Sequence, residues 1–167
     1  MNSIQQHIKP VSEEEKIRSI LETVTDPEIP VLTIADLGIV RKINVAEEET
    51  EVVISPTYSG CPAMDMIAVN IRLALAAHGY QKVKITFALS PAWTTDWMSE
   101  EGKQKLKEYG IAPPQTRSDG PRLTGGIECP QCQSTNTRLV SEFGSTACKA
   151  LYQCNDCKEP FDYFKCH

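Results

Sequence analysis

Two Cys-x-x-Cys turns, Cys129-Pro130-Gln131-Cys132 and Cys154-Asn155-Asp156-Cys157, stand near the end of the chain with residues 133–153 between them. Paired turns of this kind bring four thiolates to one tetrahedral ion. The segment 127–167 is too short to fold on apolar burial alone, so the ion substitutes for a core, contributing on the order of 10 kcal/mol of apparent folding free energy. The expectation is a small zinc-ribbon-like β domain with strands near 138–142, 149–153 and 160–164. Its ligands are Cys129, Cys132, Cys154 and Cys157, and zinc there is structural, because four thiolates leave no position for substrate. Cys148 and Cys166 are left over. Either both pack inside the ribbon, or they are candidate additional ligands that would permit an iron-sulfur cluster instead of zinc.

Of the 7 cysteines, only Cys61 lies before residue 129. The opening MNSIQQHIKP has no apolar run of the signal-peptide kind, and the most apolar stretch, 68–77, is interrupted by Asn70 and Arg72. A cytoplasmic, membrane-free protein is expected, and in a reducing compartment clustered thiols read as ligands rather than disulfides. The 17 Lys and Arg against 22 Asp and Glu leave a net charge of -5, with acidic residues in excess in both halves. Phosphate neutralisation needs a basic face, so a nucleic-acid-binding ribbon is disfavoured and a protein partner is favoured.

The preceding residues read as an α/β (α+β) domain over 1–112, followed by a linker over 113–126 that runs from Pro113-Pro114 to Gly125-Gly126. Ser12 and Glu15 form a capping box, and Ile17, Ile20, Leu21 and Val24 give one apolar face to a helix over 12–25 that Asp26-Pro27 stops. Segments 38–45 and 51–55 read as a β-hairpin around the acidic turn Glu47-Glu48-Glu49. Pro62 opens a second helix, with Met64, Ile67, Ala68, Ile71, Ala74 and Leu75 as its apolar stripe and Gly79 at its end. Val83, Ile85, Phe87 and Leu89 then alternate in a third strand. A right-handed crossover would lay strands two and three parallel, completing a three-stranded mixed sheet with packed helices. A last helix is expected from Thr94 or Thr95 to Tyr109, with Trp93, Trp97 and Tyr109 as core and staple residues.

Cys61 follows the flexible Ser59-Gly60 pair and precedes the second helix. A helix N-terminus favours the thiolate, which suits metal binding or nucleophilic attack; a buried helix-start cysteine fits the same local sequence. No histidine lies nearby in sequence for a Cys-His hydrolase. The chain also has no Ser-His-Asp pattern, no nucleotide-binding glycine loop and no Glu-x-x-His pair for a di-iron site, so a catalyst is not expected. Asp26, Glu28, Asp36 and Asp65 could serve as hard ligands, or equally as turn and first-turn residues.

Asp26-Pro27-Glu28-Ile29-Pro30, Asp36-Leu37-Gly38-Ile39-Val40 and Pro56-Thr57-Tyr58-Ser59-Gly60-Cys61-Pro62 resemble the SufT-like iron-sulfur assembly family over residues 14–92. That resemblance implies a small α/β domain and a functional thiol at Cys61 that holds iron or a cluster transiently. Asp26, Glu28, Thr57, Gly60 and Pro62 would be its supporting motif. Pro91-Ala92-Trp93-Thr94-Thr95-Asp96-Trp97-Met98, Gly110-Ile111-Ala112-Pro113-Pro114, Phe143-Gly144-Ser145-Thr146-Ala147-Cys148-Lys149 and Glu159-Pro160-Phe161 are similar to the PaaD family of phenylacetate degradation. The second resemblance implies an accessory protein of the phenylacetyl-CoA 1,2-epoxidase, a system with a di-iron oxygenase and an iron-sulfur flavin reductase. Its task would be cluster assembly or delivery to the reductase; the alternative is a structural or electron-transfer subunit with its own metal centre. Protein partners within that system are implied, no nucleic acid or membrane is, and a homo-oligomer is compatible with the sequence.

Overall fold

The computed structural model describes residues 11–115 and 126–165, so most of the linker expected over 113–126 lies outside the described residues. Helix α1 (Glu13–Leu21) begins at Ser12, whose hydroxyl accepts from the Glu15 N–H at 3.2 Å while the Glu15 carboxylate accepts from the Ser12 N–H at 2.7 Å. This reciprocal pair satisfies two donors that a helix start leaves open. The helix stops at Leu21, short of the expected residue 25. There the Thr23 hydroxyl bonds back to the Ile20 carbonyl at 2.7 Å, and the chain enters turns closed by Asp26 N–H to Leu32 O at 2.8 Å and a bridge between Thr25 and Thr33.

Strand β1 (Val40–Val45) pairs antiparallel with β2 (Thr50–Ile54), placing Ile43 opposite Val52. Helix α2 (Ala63–Ala77) then crosses over to β3 (Val83–Phe87), which lies parallel to β2 with Val52 opposite Ile85. The sheet order β1-β2-β3 is therefore the mixed sheet expected from the sequence. Met64, Ile67, Ala68, Ile71 and Leu75 of α2 are buried against it with Ile17 and Leu21 of α1. Each large side chain in that layer contributes about 2 kcal/mol by leaving water.

The region after β3 differs from the single helix expected from Thr94 or Thr95 onward. A short 3-10 turn spans Thr95–Trp97, Met98 is extended, and helix α3 (Glu100–Glu108) starts afresh at Ser99. The break is held from outside: the Ser99 N–H donates to the Asp36 carbonyl at 2.9 Å, and the Ser99 hydroxyl accepts from the Gly102 N–H at 2.9 Å. Gly38, with φ +65, lies beneath it, and a Cβ there would collide with the Trp97 carbonyl oxygen. Only glycine allows that approach. Trp93 is buried and donates its indole N–H to the Leu37 carbonyl at 2.8 Å, Trp97 is half-buried beneath the Arg41 guanidinium, and Tyr109 is exposed rather than part of a core.

The cysteine-rich segment supplies β5 (Thr137–Ser141), β6 (Lys149–Cys154) and β7 (Pro160–Phe164). A further strand, β4 (Ile111–Ala112), pairs parallel with β7, so the second sheet runs β4-β7-β6-β5. Phe164 and Cys148 are buried in the first domain's core rather than in the ribbon's, and the Phe164 ring meets Trp93 edge-on at 6.3 Å. Lys107 and Glu128 add a 2.6 Å ion pair to this contact. Among the described residues, no helix is long and apolar enough to cross a membrane.

Candidate metal centre and the Cys61 site

The four knuckle sulfurs, from Cys129, Cys132, Cys154 and Cys157, all lie within 4.8 Å of one another. Cys129 and Cys157 are 3.7 Å apart and Cys132 and Cys154 3.6 Å apart. Four thiolates around one zinc at 2.3 Å form a tetrahedron with edges of about 3.8 Å, so these sulfurs are already spaced for a single ion.

The two knuckles repeat the same backbone construction. The Cys129 N–H donates to Ser134 O at 2.9 Å and the Cys154 N–H to Glu159 O at 3.0 Å. The residue after each second thiol, Gln133 at φ 63 and Lys158 at φ 68, turns through the left-handed region. That turn aims the Ser134 N–H at the Cys132 sulfur and the Glu159 N–H at the Cys157 sulfur. Burial pushes the Cys154 thiol up, yet the Cys157 and Asp156 N–H groups and the Cys132 and Cys157 thiols bring it down to about 7. The donor set is soft, anionic once ionised and closed to a fifth partner, which fits a structural ion.

Cys61 occupies a different setting. Gly60, at φ +80, turns the chain so that the Cys61 N–H donates to Tyr58 O at 3.3 Å, and Pro62 caps α2 without a side-chain bond. The thiol is half-buried. Burial pushes it up, and the carboxylates of Glu28 and Asp26 add to that, against the Ala63 N–H and the Tyr58 hydroxyl. The helix-start effect expected to favour the thiolate is thus outweighed, because desolvation and two anions act on the same sulfur.

Asp26 organises the motif around it, its Oδ1 accepting from the Glu28 N–H at 2.7 Å and the Ile29 N–H at 2.8 Å. This fixes the turn from which the Glu28 carboxylate projects. Thr57 is half-buried in the loop between β2 and α2. Two further residues belong to the group although the sequence does not single them out there. Tyr58 bonds to Cys61, and its phenol is pushed up to about 12, by burial first and then by Cys61, Glu28 and Cys148. Cys148 stands apart from the four-thiol centre, its Sγ 3.9 Å from Glu28 Oε2 and 3.0 Å from the Thr146 hydroxyl. Tyr58 could have been suspected from its place in the Cys61 motif, but nothing local marks Cys148 as its neighbour. Cys166 lies outside the described residues.

Residues 14–87 match the iron-sulfur cluster assembly protein family, and residues 113–165 match the PaaD zinc beta ribbon domain. Over 151 residues the chain is 50% identical to an Escherichia coli K12 protein named as one subunit of a "Putative 1,2-phenylacetyl-CoA epoxidase", covering 90% of this chain and 92% of that one. The chain belongs to the PaaD family. A Porphyromonas gingivalis protein named "Fe-S protein maturation auxiliary factor" is 39% identical over 95 residues, covering 56% of this chain and 90% of its own. A crystal structure of a DUF59 domain from Bacillus anthracis superposes with a TM-score of 0.52 at 26% identity, covering 56% of this chain and 90% of that one. The maturation factor and the DUF59 domain each span little more than half of this chain, whereas the E. coli relative spans nearly all of it.

Proposed function

We propose that this protein is an accessory factor of a phenylacetyl-CoA 1,2-epoxidase system that holds iron or an iron-sulfur cluster at Cys61 and passes it to the iron-sulfur flavin reductase. The observation that carries this reading is the Cys61 site itself: a half-buried thiol beside Glu28, Asp26 and Tyr58, in a domain that matches the iron-sulfur assembly family. A thiol held up by burial and by neighbouring carboxylates keeps its proton until a cation displaces it. Proton and cargo then compete for one sulfur, so the cargo is bound less tightly than at a site of ready-made thiolates. A weak hold suits a carrier. The likeness to the E. coli protein named for the epoxidase supports a place in that system, and the likeness to maturation auxiliary factors supports the task.

The ribbon's role in this reading is structural, with zinc held by Cys129, Cys132, Cys154 and Cys157. The protein is an assembly factor in the cytoplasm rather than a catalyst, and its partners are proteins of the epoxidase system. The deciding experiment is Cys61→Ser. Serine is an acceptable helix-start residue, so the variant should melt within about 1 kcal/mol of the parent. Cells carrying it should contain reductase short of its cluster, and reductase reconstituted separately should restore epoxidation in their extract. Fully loaded reductase with an inactive assembled complex would instead make the chain a permanent subunit of the oxygenase.

A further inference from the structure

Helix α2 shows solvent a different face from those of α1 and α3. On α1 Glu13 pairs with Lys16 and Glu14 with Arg18, and on α3 Glu100 pairs with Lys103 and Glu101 with Lys105. Of the 15 residues of α2 only Asp65 and Arg72 are charged. Among the described residues neither of them forms an ion pair. The face of α2 turned to the sheet is already complete with Met64, Ile67, Ile71 and Leu75. Yet Met66, Val69 and Leu73 stand on the opposite face, 52%, 44% and 64% exposed. A surface helix ordinarily carries polar residues there, and one that is apolar all round is ordinarily covered.

The pattern of this face says what covers it. Met66, Val69 and Leu73 are spaced by three and then four positions, the repeat of a seam between two packed helices. Asp65 and Arg72, seven positions apart, lie on one flank of that seam, and both are exposed. When two copies of a helix pack antiparallel about a twofold axis, each flank meets the same flank of the second copy in reverse order. Centred on Val69, such a pair sets Met66 opposite Leu73 of the second copy, Val69 opposite itself, and Asp65 opposite Arg72 twice over. Parallel pairing would instead set Asp65 against Asp65 and Arg72 against Arg72, which repel. We infer that the outer face of α2 is the interface of an antiparallel, twofold homodimer of this chain. One helix face is small beside the roughly 800 Å² per partner of a standard interface, so the pairing is weak and concentration-dependent. The two helix starts, each following a Cys61, stand about 18 Å apart along the helix axis, which leaves each thiol open at its own end of the dimer.

The test is analytical ultracentrifugation of the full-length chain between about 1 μM and 1 mM, with thermal melts to show that each variant stays folded. The parent should pass reversibly from monomer to dimer across that range. Leu73→Glu should raise the dissociation constant at least tenfold and leave the melt unchanged, since the residue is exposed in the monomer. Asp65→Arg and Arg72→Asp should each weaken pairing about tenfold, because each sets like charges opposite one another at two symmetry-related places. The two reversals combined in one chain should restore the parent's constant to within about threefold, because opposite charges face each other again. A double reversal as weak as either single one overturns the antiparallel arrangement. A dimer indifferent to Leu73→Glu overturns the proposed face. A parent that stays monomeric throughout overturns the dimer, and if deleting residues 1–10 then allows pairing, that segment is the occupant of the face instead.

Discussion

Asp36 is a buried carboxylate that ties the turn at Thr33 to the start of α3. It is 6% exposed, and its carboxylate accepts from the Thr33 N–H and hydroxyl at 2.9 Å, from Ser99 Oγ at 3.1 Å and from Lys105 Nζ at 2.9 Å. Burial alone would raise its pKa, but these donors win and hold it below the ordinary carboxylate range. A depressed folded-state pKa means that stability is fully present above the unfolded value and is lost as pH falls through the folded one. Asp36→Asn keeps the shape but removes the charge, so at neutral pH it should cost about 2 kcal/mol, in line with charged hydrogen bonds. The gap between parent and variant should narrow below a pH of about 4. Denaturant melts at pH 7 and pH 3 measure both quantities, and a gap that stays constant with pH would mean the carboxylate's charge is irrelevant.

At the scale of elements, the four knuckle thiols fit one ion, and on the reading that they hold it the ribbon's turns and strands depend on that ion to join Cys132 to Cys154. Cys132→Ser should therefore unfold residues 127–165 rather than weaken them slightly, because three thiolates bind the ion far less well and the segment has few other buried side chains. Proteolysis of the variant, with zinc measured in parallel, should show cleavage within the ribbon and loss of the metal. The same elements show what a sequence can and cannot disclose. The knuckles were legible because each is defined by four adjacent residues, and α2 because its stripe recurs over four turns. The start of α3 was not, since the break at Met98 is imposed by Asp36, distant in sequence. Strand β4 escaped notice because two residues carry no periodicity. For the site, Cys61 and Glu28 were legible as a motif, but the approach of Cys148 to Glu28 spans 120 positions and no local pattern encodes it.

At the scale of the whole molecule, the ribbon and the α+β region before it share structure rather than merely following one another in sequence. Strand β7 pairs with β4 from the region before the second domain, and its last residue, Phe164, is 2% exposed in the first domain's core beside Trp93. Strand β6, next to β7, ends at Cys154, one of the four thiols that could hold the ion. The ion is thus one strand away from a core side chain of the other domain. Removing it with a chelator should melt the ribbon and withdraw Phe164, leaving Trp93 with a void on one face. Emptying such a site of a large aromatic costs about 3–5 kcal/mol, so the first domain should lose stability although it contains none of the ligands. The measurement is a pair of thermal melts, zinc-loaded and chelated, followed by tryptophan fluorescence for the first domain and by metal release for the ribbon. Both transitions should fall together on chelation, and Phe164→Ala should lower the first domain's transition while the zinc remains bound. A first-domain transition untouched by chelation would mean that the ribbon rides on the preceding α+β region without supporting it.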